Sequence, residues 1–311
     1  VRYVNPVVAY KRFIPMHYLL PLNTGRNVLG IRAQLGYIQG ISGAVAPPNN
    51  RMYSGGEFDL RGFDVRSATP YGYVPTRVNF QLTNPDGSCV PRDPNNPEDN
   101  QCIQVPLPVY GVASIGGDAN LTTNLEYRIP VVGPFTFAFF DDFGINSAVN
   151  KGQLQQSPEG FSALTSSLYG CPEFIDGACK NGIPGTDVGF KKDIHTIPGT
   201  NFVPRMSTGA ELSVMMPIVN APFRIYYAYN PLRLYERPYC PTILTDGKTN
   251  ELSCNATLIT PSLFPNASSN CSGSAANAGT YTYCEAIQSY GQQDIFREPR
   301  KTFRFTISTT F

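Results

Sequence analysis

The chain has 311 residues, enough for two ordinary domains or one large β architecture. Charged residues are 15% of it, against about 25% in an ordinary soluble domain, while 28 Gly, 28 Pro, 18 Tyr and 19 Phe stand beside no Trp. A formal net charge of +1 offers no long-range field for capturing nucleic acid, and the lack of an apolar run of about 18 residues excludes a helical membrane span.

Strict alternation of apolar and polar side chains marks strands, because neighbouring side chains point to opposite faces. Val1 opens directly into such a pattern, with neither a charged n-region nor an apolar h-region, so the chain is expected to be mature or a piece of something longer. The first strand spans Val4 to Pro15, with Lys11 and Arg12 blurring its alternation. The second spans Asn27 to Gln39 and sets Leu29, Ile31, Ala33, Leu35 and Tyr37 on its outer face. A long loop over 42–117 follows. From Asp118 the alternation is clean: Leu121, Thr123, Leu125, Tyr127 and Ile129 on one face, Asn120, Thr122, Asn124, Glu126 and Arg128 on the other. A break at Val132, Gly133 and Pro134 leads to a hairpin partner with Phe135, Phe137 and Phe139 against Thr136, Ala138, Phe140 and Asp142. After a second long loop, 147–204, Met206, Thr208, Ala210, Leu212, Val214 and Met216 oppose Ser207, Gly209, Glu211 and Ser213. A tight connection from Pro217 to Pro222 precedes Phe223, Ile225, Tyr227 and Tyr229 against Arg224, Tyr226, Ala228 and Asn230. The third long loop, 232–299, ends in a last strand, Thr302 to Phe311, where Phe303, Phe305, Ile307 and Phe311 oppose Arg304, Thr306, Ser308 and Thr310.

Seven strands joined alternately by short turns and long loops, each with one face suited to lipid and one to water, predict an all-β fold: a transmembrane antiparallel β-barrel with long extracellular loops. A soluble β-sandwich would alternate too, but its apolar faces would need a second sheet to cover them. Helix-tolerant stretches are short loop pieces such as 159–169. The eight cysteines all fall in the loops: Cys89 and Cys102, Cys171 and Cys179, then Cys240, Cys254, Cys271 and Cys284. Their even number argues for disulfides in an oxidising compartment, with Cys89–Cys102 and Cys171–Cys179 the local pairs and three connectivities open for the last four. With no CxxC and only His17 and His195 as histidines, no metal site is expected. No catalytic set is expected either. Asp141 and Asp142 are adjacent in a strand and point to opposite faces, so they cannot share a substrate. The chain is read as a non-enzyme without a cofactor. Asn255, Asn266 and Asn270 open glycosylation sequons that read as plain loop composition.

The first long loop carries Tyr53-Ser-Gly-Gly-Glu-Phe-Asp-Leu-Arg61-Gly62-Phe63. This resembles the Arg-Gly-Phe/Tyr signature of the BamA-type outer-membrane assembly factors (the bacterial surface antigen superfamily). The order around it resembles the family as well: a two-cysteine insertion, Gly116-Gly117-Asp118-Ala119-Asn120, Leu125-Glu126-Tyr127, Phe139 to Gly144, Arg205 to Gly209, and the terminal Phe303 to Phe311. The resemblance covers the strand segments and not the second and third long loops. It implies that 42–117 folds back into the barrel, where Arg61 is the tip cation, Glu126 and Asp142 are wall carboxylates, Gly62 permits the close turn and Phe63 packs on the inner wall. Alternation independently places Glu126 and Asp142 on the polar face.

The resemblance further implies a sixteen-stranded parent, of which residues 1–311 hold the C-terminal seven strands. Periplasmic POTRA domains and the earlier strands would precede Val1. An odd set of seven strands with an unsatisfied edge is not viable alone in lipid. The implied function is folding and insertion of β-barrel proteins into the bacterial outer membrane by a lateral gate and strand templating, with Phe303, Phe305, Ile307, Ser308 and Phe311 on the gate strand. Ser308 replaces the kinking Gly of the family. The implied partners are unfolded barrel clients, outer-membrane lipids and, through the periplasmic domains, assembly-complex lipoproteins, with no nucleic acid. The alternative is a translocation assembly factor or two-partner secretion pore of the same superfamily.

Overall fold

The computed structural model describes residues 2–16, 26–95, 101–166, 168–172, 174–175, 178–179, 190–216, 221–239, 259–273, 275–290 and 294–307. The strands are β1 (Val7–Met16), β2 (Asn27–Tyr37), β3 (Tyr71–Gln81), β4 (Gln104–Ser114), β5 (Ala119–Pro130), β6 (Phe135–Ser147), β7 (Pro204–Met216), β8 (Ala221–Leu232) and β9 (Lys301–Ile307), with helices α1 (Pro158–Thr165) and α2 (Ala278–Tyr290) and a few two- and three-residue strands. Seven of them form one antiparallel sheet in the order β9-β8-β7-β6-β5-β2-β1, the segments that alternation picks out. Three neighbouring pairs, β1–β2, β5–β6 and β7–β8, are joined by short connections, while β2 and β5, β6 and β7, and β8 and β9 lie side by side with the three long loops thrown out between them. The sheet is open, with β9 and β1 at its edges.

The two faces of this sheet reverse the usual arrangement of a water-soluble protein. Leu125 is 45% exposed and its neighbour Glu126 only 2%. Phe139, Leu212 and Tyr227 are likewise exposed, whereas Thr122, Asn124, Asp142, Ser207, Glu211, Arg224 and Asn230 are buried. A row of exposed Leu, Phe and Tyr over a buried layer of carboxylates and guanidiniums is far too apolar for water and suits lipid. Among the described residues no helix is long and apolar enough to cross a membrane. Edge strand β1 is exposed along nearly its whole length, as expected of a strand with a neighbour on one side only.

The long loops are more structured than alternation suggests, and four readings are corrected. The 42–117 loop contains a hairpin of two eleven-residue strands, β3–β4, to which His195–Thr196 adds a third strand. Pro75, Pro106 and Pro108 sit inside it, and the run Val105–Tyr110 is buried on both faces, so the period-two signal is erased. Second, α2 is a thirteen-residue helix in a segment read as loop. Its sequence, with Gly279, Thr280 and Thr282, is poor in helix formers. Asn277 accepts from the Thr280 N–H at its start, and the Cys271–Cys284 disulfide ties its middle to the preceding loop. Third, the cysteines are not all in loops: Cys284 lies in α2 and Cys179 in the two-residue strand Ala178–Cys179. Fourth, the helical content exceeds short loop pieces, α1 being the one that alternation leaves room for.

Together these elements form an outer cap with its own core. Tyr73, Leu107 and Val109 of the hairpin pack with Tyr169, Ile197, Leu263, Phe264 and Ala286 from the other two long loops. Disulfides Cys89–Cys102, Cys171–Cys179 and Cys271–Cys284 staple it, and no cysteine among the described residues is free. Cys240 and Cys254 lie outside the described residues, as do His17, the 217–220 turn, Asn255, Ser308 and Phe311.

Candidate functional site

The segment 51–69 runs back over the polar face of the sheet before rising into the hairpin. Its entry is held where Met52 and Gly117 exchange backbone bonds of 3.0 and 2.8 Å and the Ser54 hydroxyl donates to Asn120 Oδ1 at 2.7 Å. Gly55 and Gly56, at φ of +106° and +107°, make the reversal that other residues adopt only with strain. Further contacts come from strands far apart in sequence. Arg32 Nη1 of β2 donates to Phe58 O at 2.6 Å, Asn124 Nδ2 of β5 to Asp59 O at 2.6 Å, and Asn230 Nδ2 of β8 to Gly62 O at 2.8 Å. Thr302 Oγ1 of β9 donates to that same carbonyl at 2.7 Å, and Arg304 pairs with Asp64.

Arg61 is at the tip and is 1% exposed. It forks onto Asp142, Nε to Oδ2 and Nη2 to Oδ1, both at 2.8 Å, and its backbone N–H donates to Oδ2 at 3.1 Å. Its Nη1 reaches Glu126 Oε2 at 2.7 Å and Glu211 Oε2 at 3.4 Å. The guanidinium carbon lies 3.8 Å from the centre of the Phe140 ring, a cation–π contact in a dry site. Planar bidentate pairing of this kind is available to Arg and not to Lys. A Cβ at Gly62 would stand 1.8 Å from Asn230 Oδ1 and 2.6 Å from Ser207 Oγ, so any larger residue there must displace the Asn230 side chain that binds the segment. Phe63 is fully buried with Leu60 and Ala68.

Sequence reasoning did not single out Glu211, Arg224, Arg128 or Asn230, although all but Arg128 are buried on the same polar face. Arg224 forks onto Glu211 at 2.7 and 2.6 Å, and Arg128 pairs with Glu126. Three carboxylates thus face three guanidiniums, and the buried network carries no net charge. Charge on a polar strand face is the signal that could have found Glu211, Arg224 and Arg128; the neutral Asn230 carries no such signal. A second buried pair, Arg205 with Glu298, sits where the sheet meets the cap. Glu298 also accepts from the Leu234 N–H at 2.6 Å, and Arg205 donates to Thr69 O at 3.3 Å, so three chain segments meet on one ion pair. Burial raises the Glu298 carboxyl above its ordinary range, with Arg205 pulling it back.

Of the residues assigned to the terminal gate, the three that lie among the described residues do not meet this network. Phe303, Phe305 and Ile307 project from the exposed face of β9, which is bonded to β8 along one edge. Asp141 points away from Asp142, which alone joins the buried layer. No cluster of metal-ligating side chains occurs among the described residues.

The Omp85 superfamily domain matches residues 9–239, most of the chain and all of the Arg61 segment. The chain belongs to the Omp85 superfamily. Among solved structures, this Omp85-superfamily chain is similar to BamA from Haemophilus ducreyi lacking POTRA domains 1–3, at 16% identity and a TM-score of 0.40, over 75% of this chain and 32% of that one. It therefore spans about a third of that structure's length. No curated protein sequence matches.

Proposed function

We propose that this chain is the C-terminal part of a bacterial outer-membrane barrel that folds and inserts other β-barrel proteins. The whole barrel would have sixteen strands, with POTRA domains on its periplasmic side, and unfolded barrel clients, membrane lipids and assembly lipoproteins would be its partners. The observation that carries the reading is the docking of 51–69 across the polar face of the sheet, with Arg61 held between Asp142, Glu126 and Glu211. A loop fastened this way fixes the spacing of β5, β6 and β7 from inside and, through Thr302 and Arg304, also holds the inner face of β9, so it is the outer edge of β9 that is left as the place where the wall can part. Edge strand β9 presents backbone donors and acceptors on its outer side, the surface on which an incoming strand adds by β-augmentation. Its exposed Phe303, Phe305 and Ile307 keep that edge at lipid depth.

The test is to reconstitute the full-length protein containing this chain into lipid vesicles and follow the folding of an added, urea-unfolded outer-membrane barrel by its heat-modifiable band. Faster client folding than in empty vesicles, lost in Arg61→Ala, supports the proposal. Unaccelerated client folding alongside passage of an unfolded polypeptide across the bilayer would favour the transporter members of the superfamily instead.

A further inference from the structure

The exposed apolar face of β8 and β9 ends, toward the cap, in a cluster of cations. Tyr227, Phe303 and Phe305 are exposed on that face, and Tyr229 and Lys301, paired across the two strands, stand one step beyond them on the same side. Past the strands the two chain segments stay together: the Asn230 N–H donates to Arg300 O at 2.9 Å, the Glu298 N–H to Leu234 O at 3.1 Å, and Arg237–Tyr239 pairs with Asp294–Phe296. Cations from both segments therefore gather on one rim. Arg300 Nη2 donates to the Tyr229 hydroxyl at 3.2 Å, its guanidinium carbon 5.5 Å from the centre of that ring. The guanidiniums of Arg233 and Arg297 both lie over Tyr235, at 4.9 and 5.9 Å. Unlike those of the Arg61 network, these cations are open to the outside: the Arg297 side chain is 60% exposed, and Arg237, Arg300 and Lys301 are exposed too. Residues 233–237 and 294–301 carry five cations against two exposed carboxylates, an excess of three in a chain whose net charge is +1. Of those two, Glu236 pairs with Arg297 at 3.2 Å and Asp294 accepts from the Tyr239 hydroxyl at 3.2 Å; the third carboxylate, Glu298, is buried on Arg205. Like charges crowded on one rim repel unless an anion lies among them.

We infer that this rim binds an anionic lipid of the leaflet on the cap side, its phosphate held by Arg300 and Lys301, with Arg233 and Arg297 beyond them, and an acyl chain lying along Tyr227, Phe303 and Phe305. A guanidinium fork matches a phosphate, and aromatic rings with a polar tip suit the boundary between headgroups and acyl chains. Charge and apolar surface are continuous here, which fits a ligand with an anionic head and an apolar tail and leaves a soluble polyanion nothing to place on the apolar part. The inference gives the chemistry of the lipid partner in the proposed function; it rests on the exposed face of the sheet lying in lipid and not on the insertion activity.

The experiment uses the full-length protein with any Trp outside residues 1–311 replaced by Phe, carrying either Phe305→Trp beside the rim or Phe139→Trp on the same face three strands away. It is reconstituted into phosphatidylcholine vesicles in which a minor fraction of the lipid is brominated phosphatidic acid or brominated phosphatidylcholine, and Trp quenching gives the relative association of the two. At 305 phosphatidic acid should be favoured at least about fivefold, the effect of one basic residue at a membrane surface, and at 139 not at all. Arg300→Gln with Lys301→Gln should bring the preference at 305 to within about twofold of none, while quenching by brominated phosphatidylcholine there is unchanged and so reports an intact, inserted sheet. Equal quenching by the two lipids at 305, the same preference at 139, or an undiminished preference in the double variant would each overturn the inference; the first of these, with retention of the solubilised protein on immobilised inorganic polyphosphate, would assign the rim to a soluble polyanion. Absence of quenching by either lipid at both positions would overturn the lipid-facing reading itself, and this inference with it.

Discussion

Arg61→Ala tests the network most severely. The substitution removes the fork onto Asp142 and the bonds to Glu126 and Glu211, leaving Asp142 and Glu126 buried, Asp142 with no cation of its own. Stripping one partner from a buried pair costs about 3–5 kcal/mol, because the remaining charge stays desolvated. That cost falls on the docked state of 51–69, so its docking equilibrium should shift by about two to three and a half powers of ten. Hydrogen–deuterium exchange in detergent should then show residues 52–68 losing protection, while the amides of β5 and β6, bonded to neighbouring strands on both sides, keep theirs. Arg61→Lys should recover only part of the protection, since an ammonium cannot make the planar fork. A double-mutant cycle should give a larger coupling for Arg61 with Asp142, held by two bonds of 2.8 Å, than for Arg61 with Glu211 at 3.4 Å. Unchanged exchange in Arg61→Ala would refute the reasoning that the buried charges hold the segment in place.

Gly62→Ala should undock the same segment without any change of charge, because its methyl group collides with Asn230; protease cleavage within 51–69 should rise to match Arg61→Ala, and Asn230→Ala should partly rescue it. Leu125→Arg puts a charge on the outward face and should reduce stability in lipid by up to about 2–4 kcal/mol, read from urea unfolding in vesicles, whereas Leu125→Phe should be silent. Cys284→Ser should destabilise the outer cap by about 2–3 kcal/mol for a loop of this length and lower protection in α2, with the seven-stranded sheet unaffected.

How much of this is legible in the sequence depends on how many environments a segment meets. β5, β6, β7 and β8 each separate an exposed apolar face from a buried polar one, so their period of two survives in the amino-acid order and places Glu126 and Asp142 without further help. Hairpin β3–β4 meets one environment, the cap core, over much of its length; Val105–Tyr110 is buried throughout, and the prolines inside its strands remove the remaining pattern. Helix α2 is held by Asn277, a disulfide and tertiary packing more than by propensity, and none of these is visible in a local window. Arg61 is legible through its motif. Glu211 and Arg224 stand on the polar face that alternation defines, but their pairing needs the register of β7 against β8, which sets Glu211 opposite Tyr226 and brings Arg224 one step along the same face.

The central claim is that the exposed apolar face of the sheet lies in lipid and the buried polar face lines an interior. Residues 1–311 contain no Trp, so once any Trp elsewhere in the full-length protein is replaced by Phe, single Trp substitutions report their own surroundings without background. Leu125→Trp and Tyr227→Trp, on the exposed face, and Tyr226→Trp, on the buried one, should be compared in vesicles containing lipids brominated along the acyl chain. The account predicts strong quenching by the brominated lipid at 125 and 227 and little at 226. Equal quenching at all three positions, or protection from lipid at 125 and 227 with access to aqueous acrylamide, would contradict it.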